Sequence, residues 1–271
     1  MIPYILKPQY AIIKSSCDKI DISCVYKYLC LNPHDKAIDI LLDNLNYIND
    51  KLLISLCSNT NDRVVEILSK KISEMNKECW RILCTRNNTC ILDFILQNYL
   101  KMDIQCLRNL CSNEHDRAIE IVLKYIKDVN KIDCICLRNL CSNENDRAIE
   151  IVSQYLISNI KTFKKEYWLL LCLNTNDSAI EIVYKYLIKN KKFIKTKYWM
   201  KLCMNKNSKG IKIILNNLDK IKNIDYFYLR FNSCKNKILS ILEKINYDYS
   251  NIKYWNYLCM NENDNVIDIL M

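Results

Sequence analysis

The chain has 271 residues with 40 Lys and Arg against 30 Asp and Glu, a net charge of +10, and half of its residues are hydrophobic. It contains one glycine, Gly210, and three prolines, Pro3, Pro8 and Pro33. A β-rich fold of this size needs many glycine-bearing turns, and phosphate-cradling loops need glycine for close backbone approach, so composition argues against both. Sixteen cysteines suggest a disulfide framework only in a small secreted chain. No charged, apolar and cleavable leader opens this one, so a reducing compartment is expected. No apolar run approaches the roughly 20 residues that span a bilayer, and a soluble chain without a membrane partner is expected.

In chain order, residues 1–20 match nothing that follows and are expected to cap what comes next. From residue 21 to 271 one phrase recurs, Leu-Cys-x-Asn-x-Asn-Asp-x-Ala-Ile-Glu-Ile-Val, clearest at Leu110, Leu140 and Leu171. Aligned on its first leucine it occurs nine times, at Leu29, Leu56, Leu83, Leu110, Leu140, Leu171, Leu202, Leu229 and Leu258. Spacings of 27 to 31 residues are those of helical-repeat arrays. The third and eighth occurrences are degenerate, and the last stops about two turns into its second helix, at Met271.

Each occurrence reads as two helices. Three residues before the anchor leucine stands an aromatic or a leucine: Tyr26, Leu53, Trp80, Leu107, Leu137, Trp168, Trp199, Tyr226 and Trp255. That spacing makes one apolar stripe on a first helix. A second helix follows, with Ala148, Ile151, Val152 and Tyr155 on its stripe in the fifth occurrence. Between the helices, Asn three residues after the anchor is expected to end the first helix in the left-handed conformation that glycine usually supplies. Asp six after the anchor is expected to cap the second helix. A small side chain eight after it, Gly210 in the seventh occurrence, marks the expected closest approach of helices. One helix pair cannot bury its own stripes, whereas stacked pairs share a core. The expected fold is therefore all-α, a single α-solenoid domain over 21–271.

The phrase resembles a family of short helical repeats abundant in large DNA viruses of protists, read approximately as Leu-Ser-x-Asn-Pro-Asn-Asp-x-Ala-Ile-x-Leu-Leu with Trp three before the leucine. The first occurrence keeps Asn32-Pro33 and Asp35-x-Ala37-Ile38, and the resemblance spans about residues 22–271. It implies a viral repeat protein working inside the infected cell, in host cytoplasm or virion. It implies no activity, catalytic residue or cofactor.

Cysteine follows the anchor in eight occurrences, from Cys30 to Cys259. One thiol per repeat does not converge on a metal, and buried cysteine behaves as a small hydrophobe, so core packing and no metal site are expected. His34 and His115 both fall five after the anchor and read as solvated turn residues. No nucleophile, base and orienting group stand together, so a non-enzymatic chain is expected.

Charge is uneven. Residues 151–212 hold thirteen lysines against Glu166, Asp177 and Glu181, which is the whole excess. Two segments carry most of them: Lys161, Lys164 and Lys165, then Lys189, Lys191, Lys192, Lys195 and Lys197. They lie at the longest spacings, and the added residues read as basic loop. Stacking is expected to set the two loops side by side, as a patch for nucleic-acid phosphates with Phe163, Tyr167, Phe193 and Tyr198 stacking on bases, or for an acidic protein. A solvated lysine face is the third reading. The leading functional expectation is a protein-binding scaffold, the alternative a sequence-tolerant nucleic-acid binder. An apolar C-terminal end face is expected to allow self-association.

Overall fold

Helices form here because apolar residues recur three and four apart and almost no glycine or proline interrupts them. The computed structural model describes residues 22–126, 129, 132–189 and 195–217; the occurrences anchored at Leu229 and Leu258, the C-terminal end face and the N-terminal segment 1–20 lie outside the described residues. The described residues are all-helical, with fourteen α-helices and no strand. Two compact units divide the chain, Met1–Lys127 and Asp128–Met271, with the boundary falling between the fourth and fifth anchor leucines.

In the first unit the helices are α1 Ile22–Leu31, α2 Asp35–Leu42, α3 Asp50–Cys57, α4 Val64–Lys70, α5 Lys77–Leu83, α6 Thr89–Gln97, α7 Ile104–Cys111 and α8 Asp116–Tyr125. In the second they are α9 Cys134–Ser142, α10 Asp146–Asn159, α11 Lys165–Leu173, α12 Asp177–Ile182, α13 Thr196–Met204 and α14 Ser208–Leu215. A π-helical segment, Val183–Ile188, continues α12. Odd-numbered helices contact odd ones within each unit, α1 on α3, α3 on α5, α5 on α7, and α9 on α11, α11 on α13; the even-numbered helices do the same.

Both expected stripes face inward. Leu56, Leu83, Leu110, Leu140, Leu171 and Leu202 are fully buried, and Leu29 is partly so. The side chain three residues earlier is buried in all seven described pairs, from Tyr26 to Trp199, as is the following cysteine, from Cys30 to Cys203. Small residues fill the slot eight after the anchor: Ala37, Val64, Ala118, Ala148 and Ala179 are buried there, and Gly210 with them. The slot does not demand glycine, and in the third occurrence the larger Ile91 is buried there. A Cβ at Gly210 would meet Asn205 and Ile180 only at 3.9 Å, an ordinary contact.

Residues 190–194 of the spacing from Leu171 to Leu202 lie outside the described residues; in the spacing from Leu140 to Leu171 the added residues are not loop, contrary to the sequence reading. They lengthen the second helix of the pair: α10 runs 14 residues, whereas α2, α4 and α6 run 8, 7 and 9. The extra turn buries Leu156, and the π-segment buries Leu187 and Ile188.

Candidate functional site

The turn between paired helices carries most of the polar chemistry, and its mechanism differs from the expected one. The asparagine three after the anchor is not left-handed. Asn143, Asn174 and Asn205 sit at φ −76°, −66° and −73° with ψ near 130°, ordinary extended backbone. What selects asparagine is its side chain. Within its own turn, Oδ1 accepts the amide two residues on, as Asn174 does from Asn176 N (2.8 Å) and Asn205 from Asn207 N (2.7 Å). The other end reaches the preceding helix pair. Asn174 Nδ2 donates to the carbonyls of Cys141 (3.1 Å) and Asn143 (2.8 Å), and Asn205 Nδ2 to those of Cys172 and Asn174 (both 2.8 Å). Asn59 does the same to Cys30 and Asn32, at 2.7 and 3.0 Å.

These acceptors are carbonyls at the end of the first helix, which have no intrahelical partner and, apart from the part-exposed Asn32 carbonyl, are shut away from water. Both donors of one buried amide satisfy them, and no carboxylate, hydroxyl or alanine offers two donors and an acceptor at that place. In the degenerate third occurrence Arg86 stands instead, and its Nη1 donates to Ser58 O of the preceding pair at 2.6 Å. Asn113 then donates to Arg86 O at 2.8 Å, so the degenerate pair keeps the stapling by other atoms.

A second rung lies two residues further on. The residue five after the anchor caps the second helix: Asn176 Oδ1 accepts Ser178 N (2.8 Å) and Asn207 Oδ1 accepts Lys209 N (2.7 Å). His34 and His115 serve as caps too, their Nδ1 atoms accepting from Lys36 N (3.2 Å) and Arg117 N (3.1 Å). The aspartate assigned that role from sequence is instead the first helical residue in α2, α8, α10 and α12. It receives the amide of the next cap, Asn61 to Asp35 and Asn176 to Asp146 at 2.8 Å, and Asn207 to Asp177 at 2.7 Å. Spacing alone reveals an acceptor near a helix start; it does not reveal which neighbouring pair supplies the donor.

The cysteine ladder is packing material. Burial pushes the Cys30 and Cys203 thiols up to about 12, and raises Cys141 and Cys172 as well. A thiol so reluctant to ionise is a poor nucleophile near neutral pH. Among the described residues no three His, Cys, Asp or Glu side chains gather in a way that could hold a metal ion.

The basic segments are partly described. Lys161, Lys164, Lys165, Lys189 and Lys195 are exposed and Lys197 is half-exposed; Lys191, Lys192 and Phe193 lie outside the described residues. α11 and α13 pack against each other, and each opens on a lysine, Lys164 or Lys195, that makes no side-chain cap. The lysines sit partly on the protein's own groups: Lys164 Nζ is 3.9 Å from Glu166 and 5.8 Å from the Tyr167 ring, and Lys197 Nζ is 5.3 Å from the Tyr198 ring. The three described members of the expected base-stacking set are not available. Phe163, Tyr167 and Tyr198 are 8%, 2% and 5% exposed. Phe163 packs edge-on against Trp168 and Tyr167, with ring centroids 4.8 and 5.2 Å away, and Tyr167 Oη donates to Cys134 O at 3.3 Å. They recur beside lysine because α11 and α13 need apolar pins where the polar cap is missing.

Among the described residues no helix is long and apolar enough to cross a membrane. Comparison with protein-family models, with curated proteins and with solved structures finds no match for this chain.

Proposed function

We propose that the chain is an α-solenoid of short two-helix repeats that acts as a non-enzymatic scaffold, holding a protein partner against its outward helix faces. The observation that supports this best is the buried asparagine rung. Within each unit it ties a helix pair to the one before it through the turn and leaves the remaining helix surfaces free to vary, which is how repeat arrays build extended binding surfaces. The resemblance to viral repeats implies work in the infected host's cytoplasm or in the virion. Affinity capture of the tagged chain from infected cells, with cross-links mapped to residues, tests the reading. A partner in stoichiometric amount cross-linked to outward helix faces is expected; recovery of the chain alone overturns it.

A second reading, binding of nucleic-acid phosphates, is favoured by the exposed lysines at the uncapped starts of α11 and α13. With Phe163, Tyr167 and Tyr198 buried it is chiefly a phosphate contact, so affinity for a 20-nucleotide single strand falls steeply with salt. It falls further when Lys161, Lys164, Lys191 and Lys192 are all changed to glutamine. Binding indifferent to salt removes this reading.

A further inference from the structure

Outside the asparagine rungs, an exposed charge ladder runs along the second helices. In the second and fourth pairs an arginine seven residues after the anchor leucine joins acids of its own and of the preceding pair; in the seventh a lysine joins acids of the preceding pair alone. Arg63 lies 2.9 Å from both Asp39 and Glu66, and Arg117 lies 2.6 Å from both Asp93 and Glu120. Lys209 reaches Glu181 at 2.5 Å and Asp177 at 3.0 Å.

The sixth pair has Ser178 at this place, as the third has Cys90. Its phrase is Asp177-Ser178-Ala179-Ile180-Glu181, where the fourth pair has Asp116-Arg117-Ala118-Ile119-Glu120. Where the arginine would lie there is a cleft of about 240 Å³ between α10 and α12, lined by Glu150, Ser178 and Glu181 with Ile149, Ile182 and Tyr186. The Glu150 carboxylate is exposed and makes no ion pair with Arg147 or with any other described residue. Lys185, also on the wall, has its ammonium 5.0 Å from the Tyr186 ring. The π-helical segment that carries both residues widens the helix at this wall, a distortion that commonly accompanies a functional site.

We propose that this cleft receives an arginine side chain of a partner protein, its guanidinium reaching Glu150 and sharing Glu181 with Lys209, in the place that Arg63 and Arg117 fill in their own pairs. The planar fork suits two carboxylates, and the apolar wall suits the aliphatic stem. The proposal rests on the scaffold reading and supplies its partner chemistry, an arginine-bearing segment.

The test uses a fluorescein-labelled, end-blocked hexapeptide of alternating alanine and arginine, against the same peptide with neutral citrulline. Fluorescence anisotropy at low salt is read for the wild type, Ser178→Arg and Glu150→Gln, with circular dichroism confirming that each is folded. Both variants are expected to bind the arginine peptide at least tenfold more weakly than the wild type, and the citrulline peptide not to bind. Ser178→Arg restores the internal ion pair and is expected also to raise the thermal midpoint. No binding to the wild type, equal binding by either variant, or equal binding of the citrulline peptide overturns the cleft. None of these results touches the scaffold reading, because partner capture is measured separately on the unaltered chain.

Discussion

The two units solve one packing problem with different helix starts. In the first, α3, α5 and α7 open on Asn49, Asn76 and Asp103, whose side chains accept from Leu52, Cys79 and Cys106 amides at 3.1, 3.1 and 3.0 Å. In the second, α9 keeps such a cap in Asp133, but α11 and α13 open on lysines that cap nothing. There a longer preceding helix and, at α11, the buried Phe163 hold the helix start in place. The turn inside each pair does not vary in this way: Asn59, Asn113, Asn174 and Asn205 donate across it in both units. Stapling through the turn is therefore what the repeat conserves physically, and the connection between pairs is where length and charge are free to change.

The largest effect belongs to what both units share. Leu140→Ala removes a fully buried side chain and is expected to cost about 2–5 kcal/mol in urea unfolding. A loss under about half a kcal/mol contradicts the inward stripe. Next comes the rung. Asn174→Ala leaves two buried carbonyls without donors and is expected to cost about 2–3 kcal/mol. Asn174→Asp keeps the shape and the local acceptor but turns a carboxylate on those carbonyls, and is expected to cost at least as much. If the aspartate variant is as stable as the wild type, asparagine acts only within its own turn.

Smaller changes separate the units. Asn76→Ala is expected to lose about 1 kcal/mol, whereas Lys164→Asp, which supplies a missing cap and relieves a cation at a helix N-terminus, is expected to gain about 0.5–1 kcal/mol. Equal effects at the two positions would erase the distinction. Smallest is a pH effect at Asp103 in the first unit. Arg81 reaches Asp103 at 2.6 Å and holds its carboxyl near 2, below the ordinary 3.8. A depressed carboxyl adds stability above its unfolded value and loses it as pH falls through the folded one. The difference in stability between the wild type and Asp103→Asn is thus expected to shrink between about pH 4 and 2.

The hydrophobic frame was readable because burial follows helical periodicity, a property of one segment at a time. Tyr26, Leu53, Trp80 and the anchor leucines announce their face by spacing alone. The polar turn was misread because its partners lie one helix pair away. A lone Asn174 looks like a helix stop, and only a stacked neighbour supplies the carbonyls that explain it. Phe163, Tyr167 and Tyr198 misled in the opposite sense. Lysines beside aromatics suggest a binding surface, yet at 3–4 residue spacing an aromatic beside an exposed lysine is equally the buried edge of a helix.

Hydrogen exchange of asparagine side-chain amides, followed by NMR, tests the stapling rung most directly. The Nδ2 protons of Asn59, Asn174 and Asn205 are expected to exchange orders of magnitude more slowly than those of an exposed asparagine such as Asn32, because each is held on carbonyls inside the stack. Exchange as fast as that of Asn32 would contradict the rung and the account built on it.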